Sequence, residues 1–388
     1  MALTRSVLDD VIASEQQLAD LIRQIEAADR VALDTEADSL HSYREKLCLL
    51  QISAPTVAGV VDAGQKSDES EKIRDQKSPR QHDCVVDPLS NLDLEPLRRV
   101  LEPKEIILHA ADYDLRMLRR GLNFRASRIF DTVLAARLLG IREFSLGALV
   151  KRFFDVELHK HSQKANWALR PLPARMLKYA VDDVHYLLPL AEKLEDELER
   201  VQRRDWFRQS CARSIESAAS ARERTEDEIW RIAGAGALDP RTGAVLRALW
   251  QWRETEAELA DRPPFHILHN RELLEAAGDF AAGRVPDYER FSARRRQTFR
   301  EAANIALESP QSDWPIMRRR SGIRPTTEMR RRADELRERR DKAAAQLGLE
   351  GSFIASRGAL DAIAADPARA TVLLVPWQRE LIGIDSQR

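Results

Sequence analysis

Four carboxylates and one tyrosine in this sequence are spaced so that they could act together. The segment VALDTEA places Asp34 and Glu36 two residues apart on a predicted strand, so both side chains point to the same face of a sheet. The segment KYAVDDVHYLL places Tyr179 and Asp183 four residues apart on a predicted helix, where they share one face. Asp182 lies about 100° round that helix and is not expected to share the face.

Another acidic pair, Asp112 and Asp114, follows the apolar segment EIILHAA near the expected start of a helix, and either residue could join the others. Asp34 and Glu36 alone would be explained more simply by a strand end in solvent. Several carboxylates together on an apolar framework are costly to bury unless a cation neutralises them. Oxygen ligands suit Mg²⁺ or Mn²⁺, and two such ions about 4 Å apart can assist an in-line phosphoryl displacement. The pattern therefore predicts a two-metal hydrolytic site.

The composition excludes several other classes of protein. A chain of 388 residues predicts two or three domains. It contains no stretch of about 18 uncharged apolar residues, and its start does not resemble a signal peptide, so we expect neither a membrane span nor secretion. Three widely separated cysteines without a CxxC pair argue against a disulfide scaffold or a cysteine-rich zinc site. They favour a cytoplasmic location.

The charge is divided unevenly along the chain. The net charge is −1, but residues 1–200 carry −5 and residues 201–388 carry +4. The second part holds three arginine triplets, at 294–296, 318–320 and 330–332, which could bind phosphates. For the segment RRRADELRERR, a solvated helix face with its own Glu partners is the simpler explanation. Three tryptophans are expected in the core rather than stacked on bases: Trp250, Trp252 and Trp377.

Apolar strands and amphipathic helices alternate in the first half, which predicts an α/β domain with a mixed sheet. The predicted elements are a helix over 13–28, the strands RVALDTEA, KLCLLQIS, GVV and EIILHAA, the helix DLRMLRRGLNF, and a strand entering a helix in SRIFDTVLAARLLG. The polar segment 62–83 predicts a mobile surface loop or a hairpin extension, either without function or acting as a flap over substrate. From about residue 172 the chain is predicted to be helical, in two regions joined by a linker. A Trp-Gln dyad in each region suggests a duplicated module.

The motifs DTE, HAxxxD and YAxxDVxYL, in this order, resemble the three exonuclease motifs of the DEDD superfamily, and the tyrosine indicates its tyrosine subclass. The surrounding segments, among them YREKLCLLQIS, FDTVLAARLLG and NWALRPLP, resemble the ribonuclease D family. The segment that begins EDEIWRIAGAGALDP resembles the helicase-and-ribonuclease-D C-terminal domain, or HRDC domain. The region containing LLVPWQRELIG resembles the second copy found in bacterial members.

This resemblance implies a fold and a domain arrangement. We expect an α/β exonuclease domain, with a ribonuclease H-like mixed sheet and flanking helices, over residues 1–205. Two small all-α helical domains would follow, the first, nucleic-acid-binding, over 223–303 and the second over 322–388.

The resemblance also implies the roles of individual residues. The metal ligands for two divalent ions, Mg²⁺ or Mn²⁺, would be Asp34, Glu36, Asp114 and Asp183, and the HAxxxD spacing selects Asp114 over Asp112. Tyr179 would complete the catalytic set by orienting the attacking water. The expected substrate-binding residues are Thr35, His109, Gln163, Lys164 and Arg170.

Several of these residues also have simpler explanations. His109 could be a hydrogen-bonded histidine at a strand end. The loop with His159, Lys160, His161, Gln163 and Lys164, before Trp167 and Arg170, could be a plain basic surface loop. Asp131 is expected to support the fold rather than bind metal. The sequence departs from the family in a longer segment at 62–83 and in Asn166, where Asp is common.

The implied function is a 3′-5′ exoribonuclease that releases nucleoside 5′-monophosphates. The expected substrate is RNA, in particular tRNA precursors with 3′ extensions, and the expected form is a cytoplasmic monomer without an organic cofactor. One alternative is a DNA 3′-5′ exonuclease, which the two helical modules disfavour. Another is a non-catalytic RNA-binding protein with a nuclease fold, which retention of all five catalytic residue types disfavours.

Overall fold

A computed structural model of the chain describes residues 11–56, 81–158, 162–220, 225–317 and 326–384. The chain forms two compact units. The first contains Met1–Ala37, Lys46–Ala221 and Pro325–Arg388, and the second contains Asp38–Glu45 and Arg222–Arg324. Within the described ranges, no helix has both the length and the apolar character that a membrane span requires.

A six-stranded mixed sheet forms the centre of the first unit, as far as the structure describes it, in the order β1-β4-β3-β2-β5-β6. The strands are β1 (Val11–Ile12), β2 (Arg30–Ala37), β3 (Leu47–Pro55), β4 (Gln81–Val86), β5 (Glu105–Leu108) and β6 (Arg128–Asp131). β3 is antiparallel to β2 and β4, whereas the other neighbouring pairs are parallel. The predicted mixed sheet is confirmed, and β2, which carries Asp34 and Glu36, lies in its interior.

Helices flank this sheet and give it the predicted α/β character. They are α1 (Glu15–Glu26), α2 (Glu95–Leu101), α3 (Asp112–Leu122), α4 (Thr132–Leu138), α5 (Leu146–Phe154), α6 (Ala174–His185), α7 (Leu187–Arg200) and α8 (Arg204–Ala219). α1 begins with a capping box in which the Ser14 and Gln17 side chains satisfy exposed backbone N–H groups. α6 packs on β2, β3 and β4, and α3 packs on β2 and β3, so both helices can bring side chains to the middle of the sheet.

The second unit is helical and has its own apolar core. Its helices are α9 (Glu226–Ile229), α10 (Pro240–Leu259), α11 (Pro264–Ile267), α12 (Asn270–Ala281) and α13 (Ala293–Glu308). Trp252 is buried against Phe291 and Phe299, and its indole N–H donates to Thr298 Oγ1 at 3.0 Å. Trp250 is partly buried and packs against the same core. Both tryptophans therefore serve packing, as the sequence predicts.

The C-terminal helices belong to the first unit. They are α14 (Thr327–Leu347), α15 (Gly351–Ile354), α16 (Arg357–Ala365), α17 (Ala370–Leu373) and α18 (Pro376–Leu381). Their buried apolar side chains are continuous with the core beneath the sheet. Trp377 stacks on Trp206 of α8 with ring centroids 5.1 Å apart, and its indole N–H donates to Ser210 Oγ at 3.1 Å. These units differ from the sequence-based bounds 1–205 and 322–388 because α8 and the C-terminal helices share one core with the sheet.

The two helical regions have similar local organisation. In each, a long helix (α10 or α14) precedes a four-residue helix (α11 or α15) and then a third helix (α12 or α16) that packs on the long one. This order supports the predicted duplication. The Trp-Gln dyads do not, because Trp250 lies within the 20-residue α10 whereas Trp377 is the second residue of the short α18.

Two sequence-based element assignments need comment. In the segment 62–83, predicted as a surface loop or hairpin extension, residues 81–83 belong to β4, where their backbone pairs with β3, so the hairpin alternative fits this end. These polar residues show no strand-like alternation, which hid the strand. The predicted strand GVV, residues 62–80, the loop residues 159–161 and the arginines 318–320 lie outside the described residues.

Candidate active site

Three carboxylates meet where α6 crosses the sheet. Asp34 and Glu36 come from β2 and Asp183 comes from α6, and one oxygen of each lies within 4.8 Å of the others. Alternation along the strand places both β2 carboxylates on the face that α6 covers. The structure therefore brings together three of the four carboxylates that the sequence assigns to metal binding.

The fourth carboxylate, Asp114, lies in the first turn of α3 and is only 5% exposed. Thr35 Oγ1 donates a hydrogen bond of 2.5 Å to Asp114 Oδ1. Asp112, the rival residue, has a side chain 57% exposed and forms an ion pair of 2.6 Å with Arg116. The structure thus turns Asp114 inward and Asp112 outward, in agreement with the HAxxxD spacing. It also gives the Thr35 side chain a contact that the sequence did not suggest.

Burial and mutual repulsion disfavour the charged forms of these carboxylates. Burial raises the pKa of Asp34 to about 6, and burial together with the Asp34 charge raises that of Asp183 to about 8. The pKa of Glu36 rises to about 10, first through burial and then through the charges of Asp34, Asp183 and Asp114. Burial and Asp34 likewise raise the pKa of Asp114. A divalent cation would remove this repulsion, and a set of carboxylate oxygens is the donor set that Mg²⁺ or Mn²⁺ prefers.

These shifts predict how pH affects the metal-free protein. In the folded, metal-free protein Asp34 and Asp183 keep their protons up to about pH 6 and about pH 8, whereas in the unfolded chain both lose them near pH 4. Raising the pH from 4 to 8 should therefore favour unfolding. Replacing one ligand relieves the repulsion. We therefore expect the melting temperature of the metal-free wild type to fall relative to that of Asp34→Asn as the pH rises from 4 to 8. Thermal denaturation in chelator at several pH values measures this, and a constant difference would contradict the prediction.

Tyr179 lies beside Asp183 one turn earlier on α6. Burial, followed by the charge of Asp183 and the hydrogen bond to it, raises the pKa of the phenol above its usual value of 10. The hydroxyl therefore stays protonated and donates, which suits orientation of a water rather than proton abstraction. The neighbouring Asp182 points elsewhere and pairs with Lys178 at 3.0 Å.

His109 follows β5 at the same edge of the sheet as Asp34. The parallel pairing of β2 with β5 ends at Ala32 and Ile107, and Asp34 and His109 each come two residues later. The Thr132 hydroxyl donates to the Leu108 carbonyl, so His109 Nδ1 donates to Thr132 Oγ1 at 2.8 Å. Burial lowers the pKa of His109 to about 4, which keeps the ring neutral and leaves Nε2 as an acceptor. The ring is hydrogen-bonded at a strand end, and a contact with substrate stays a prediction.

Asp131 holds the segment that leads into α3. Its carboxylate accepts N–H groups from Ala110 and Ala111 at 3.2 and 3.0 Å, and from Val133 and Leu134 at the start of α4. Ala110 has a φ of 62°, a left-handed conformation that is unfavourable for alanine and needs such support. The sequence-based expectation of a supporting role for Asp131 fits this geometry, and the support reaches the helix that carries Asp114.

Replacing Asp131 should therefore destabilise the protein. Asp131→Ala removes a helix cap and leaves buried N–H groups without acceptors, so we expect the free energy of unfolding to fall by about 2–3 kcal/mol. Urea denaturation measures the loss. The matched control is Asp112→Ala, which changes an exposed residue at the start of α3. Its free energy of unfolding should change by less than about 0.5 kcal/mol. Equal effects of the two substitutions would show that the four contacts of Asp131 contribute little.

The predicted substrate-binding residues of the loop differ in their surroundings. Gln163 and Lys164 are exposed. Arg170 instead forms two hydrogen bonds with Asp87, at 2.5 and 2.6 Å, and donates to the carbonyls of Cys48, Trp167 and Leu169. A phosphate would have to compete with all five of these bonds. The sequence could not reveal this, because Asp87 and Cys48 are distant along the chain.

The arginine triplets that the structure describes also have acidic partners. Arg294 and Arg295 both contact the buried Glu256 carboxylate, at 2.7 and 2.9 Å, and Arg296 pairs with Asp287. In the third triplet, Arg331 and Arg332 pair with Glu335 and Glu328 on the same helix. The simpler explanation, a solvated face with its own Glu partners, therefore fits α14.

Two family models match the chain. Residues 10–199 match the 3′-5′ exonuclease family, and residues 242–279 match the HRDC domain. The first match contains all four carboxylates and Tyr179. The second lies within the helical second unit.

Several known proteins are similar to this chain. A ribonuclease D of Sphingobium indicum is 30% identical over 271 residues, which are 69% of this chain and 63% of that protein. A ribonuclease D of Pseudomonas paraeruginosa is 31% identical over 60% of this chain and 63% of its own length. The chain thus spans less than two thirds of these curated relatives. The crystal structure of Escherichia coli RNase D, described as an exoribonuclease involved in structured RNA processing, superposes with a TM-score of 0.68 at 21% identity, covering 96% of this chain and 95% of that one. This likeness confirms the fold.

Proposed function

We propose that this chain, which matches the 3′-5′ exonuclease family over residues 10–199 and the HRDC domain over residues 242–279, is a metal-dependent 3′-5′ exoribonuclease. The observation that carries the proposal is the approach of Asp34, Glu36 and Asp183 to within 4.8 Å, with Asp114 buried nearby. The pKa values of these three carboxyl groups are raised, so their charged forms are unfavourable in this site unless a cation is bound.

The proposed roles divide the site between holding cations and placing a water. Asp34, Glu36 and Asp183 would hold one divalent ion, and Asp34 with Asp114 would hold a second. Such ions, when bound, lower the pKa of a water and stabilise the charge that develops on the leaving 3′ oxygen. The protonated Tyr179 hydroxyl would hydrogen-bond to the attacking water and fix its direction. Thr35 would keep Asp114 in place through the hydroxyl contact.

The proposed substrate rests on the names of two relatives. Both are called ribonuclease D, which supports RNA as the substrate. The proposed natural substrates are tRNA precursors with 3′ extensions. The proposed substrate contacts are Thr35, His109, Gln163, Lys164 and Arg170, of which Gln163 and Lys164 are exposed. Four further points belong to this proposal. The helical regions would bind nucleic acid, and the domains would have the bounds expected from the sequence. The protein would be a monomer in the cytoplasm.

A comparison of RNA and DNA tests the proposal against its alternatives. The full chain, stripped of metal, is mixed with single-stranded RNA or DNA of one sequence, with Mg²⁺, with Mn²⁺ or with excess chelator. We expect fast hydrolysis of RNA that requires the cation, and slow hydrolysis of DNA. Preference for DNA would favour the DNA exonuclease, whereas RNA binding without hydrolysis in either cation would favour the non-catalytic alternative. Full turnover in chelator would overturn the metal assignment.

A further inference from the structure

Gln51 is a fully buried amide in the middle of β3 whose polar atoms have no hydrogen-bond partner. Its side chain is 0% exposed, and neither Oε1 nor Nε2 reaches a donor or acceptor. An unpaired buried amide costs free energy, and native folds seldom keep one without a use for it. Other buried polar groups near the site have partners, as Asp131 and the Thr35–Asp114 contact illustrate.

The strand register places Gln51 directly beside the candidate metal site. In the antiparallel pairing of β2 with β3, Gln51 is the partner of Asp34, and Leu49 is the partner of Glu36. Directly opposed residues of an antiparallel pair point to the same face, with Cα atoms about 4.5–5.5 Å apart. Gln51 therefore shares the face of Asp34 and Glu36, beneath α6, which packs on β3.

Apolar residues lie on two sides of Gln51. On its far side β4 presents Val85, and along its own strand Leu49 belongs to an apolar cluster with Val85, Met176 and Ala180. The carboxylate directly opposite the amide is that of Asp34. A buried, unpaired amide next to Asp34 has the location expected of a group that orients a metal ligand.

We propose that Gln51 is a positioning residue of the metal site, whose amide completes its hydrogen bonds with Asp34 and with a water ligand of the cation when the site is loaded. The inference rests on the metal-dependent function proposed above. Carboxylates that bind metals are usually held by hydrogen bonds from an outer layer of groups, and loss of one such partner typically weakens metal binding about 10–100-fold. The amide donates through Nε2 and accepts through Oε1, so it can bond both to the Asp34 carboxylate and to a water.

A competing explanation is an internal water that stabilises the fold regardless of metal. Ser53 lies two residues along β3 on the same face, opposite Asp83 of β4, and Ser53 Oγ and Asp83 Oδ1 are also buried without partners. A water joining these atoms to Gln51 would have enough polar partners to be held. In that case the amide would support the metal-free fold and would not affect metal affinity.

Two readouts on the full chain separate these explanations. Gln51→Met keeps an unbranched side chain of similar length but removes both polar atoms. We expect its metal-free melting temperature to equal or exceed that of the wild type, because an unpaired amide is lost. We expect its Kd for Mn²⁺, measured by titration calorimetry, to rise about 10–100-fold. Gln51→Asn shortens the side chain by one methylene and should also weaken Mn²⁺ binding. If the methionine variant fails to fold, the Kd of the asparagine variant shows whether Gln51 affects metal affinity.

Ser53→Ala is the matched control, since it removes an unpaired buried hydroxyl from the same face but farther from Asp34 and Glu36. Its Kd for Mn²⁺ should equal that of the wild type. A Gln51→Met protein that melts at a lower temperature and binds Mn²⁺ as tightly as the wild type would overturn the inference. Wild-type protein that fails to bind Mn²⁺, or Asp34→Asn that binds it equally well, would instead overturn the proposed function.

Discussion

Asp34→Asn is expected to lower the rate of RNA hydrolysis by at least about 10²-fold, because it removes the negative charge of the carboxylate that would help to hold both proposed cations. The same loss is expected for Asp183→Asn and Asp114→Asn. The fold should survive each change, since Asn keeps the shape of Asp and relieves the repulsion that raises the pKa values of the cluster. Initial rates at saturating Mg²⁺, together with melting temperatures, measure both effects.

The matched controls for this series are Asp112→Asn and Asp182→Asn. Asp112 is two residues from Asp114 and Asp182 is adjacent to Asp183, but each points to solvent and pairs with a basic residue on its own helix. Their rates should stay within about twofold of the wild type, since an exposed ion pair contributes little. If Asp112→Asn proved as damaging as Asp114→Asn, the assignment of the second motif would be wrong.

Trp377→Ala is expected to lower the free energy of unfolding by about 3–5 kcal/mol, the usual range for removing a large buried aromatic ring. Trp377 is 1% exposed and stacks on Trp206, and its backbone N–H donates to the Gln209 side chain at 3.0 Å. The substitution would open a cavity where the C-terminal helices meet α8. Chemical denaturation followed by fluorescence and circular dichroism measures the change.

Val372→Ala in the same helical region is the control, because Val372 is 62% exposed and its truncation should cost less than about 0.5 kcal/mol. A small effect of Trp377→Ala would mean that the C-terminal helices contribute little to the first unit. Its domain bounds would then be closer to those predicted from the sequence.

The grouping of Asp34 with Glu36 and of Tyr179 with Asp183 could be predicted because their spacing carries the information. Asp34 and Glu36 must share a face of any strand, and Tyr179 and Asp183 must share a face of any helix. The choice between Asp112 and Asp114 needed the family motif, and the structure agrees with it through the burial of Asp114. Asp131 was also predictable in kind, since its position before a helix is that of a cap.

Contacts between distant parts of the chain could not be predicted from local patterns. Arg170 stays a predicted substrate contact, but its hydrogen bond to Asp87, 83 residues earlier, has no local signal in the sequence. The end of the exonuclease domain at residue 205 is an expectation from the family resemblance. In the structure Phe207 of α8 lies against Phe130 of β6, with ring centroids 4.5 Å apart, a contact that no local pattern indicates.

Gln51 could not be predicted as part of the site for a related reason. The segment KLCLLQIS is predicted as a strand from its apolar residues, and nothing in it distinguishes Gln51 from its other polar residues. Only the antiparallel register shows that this residue is the partner of Asp34.

The most direct test of the central claim follows the two ends of one RNA. A single-stranded RNA labelled at its 5′ end, and the same RNA labelled at its 3′ end, are incubated with the full chain and Mg²⁺, beside Asp34→Asn. We predict that the 3′ label is released at once as a nucleoside 5′-monophosphate, while the 5′-labelled molecules shorten one nucleotide at a time, and that the variant does neither. Early release of the 5′ label, fragments from internal cleavage, or unchanged hydrolysis by Asp34→Asn would contradict the account.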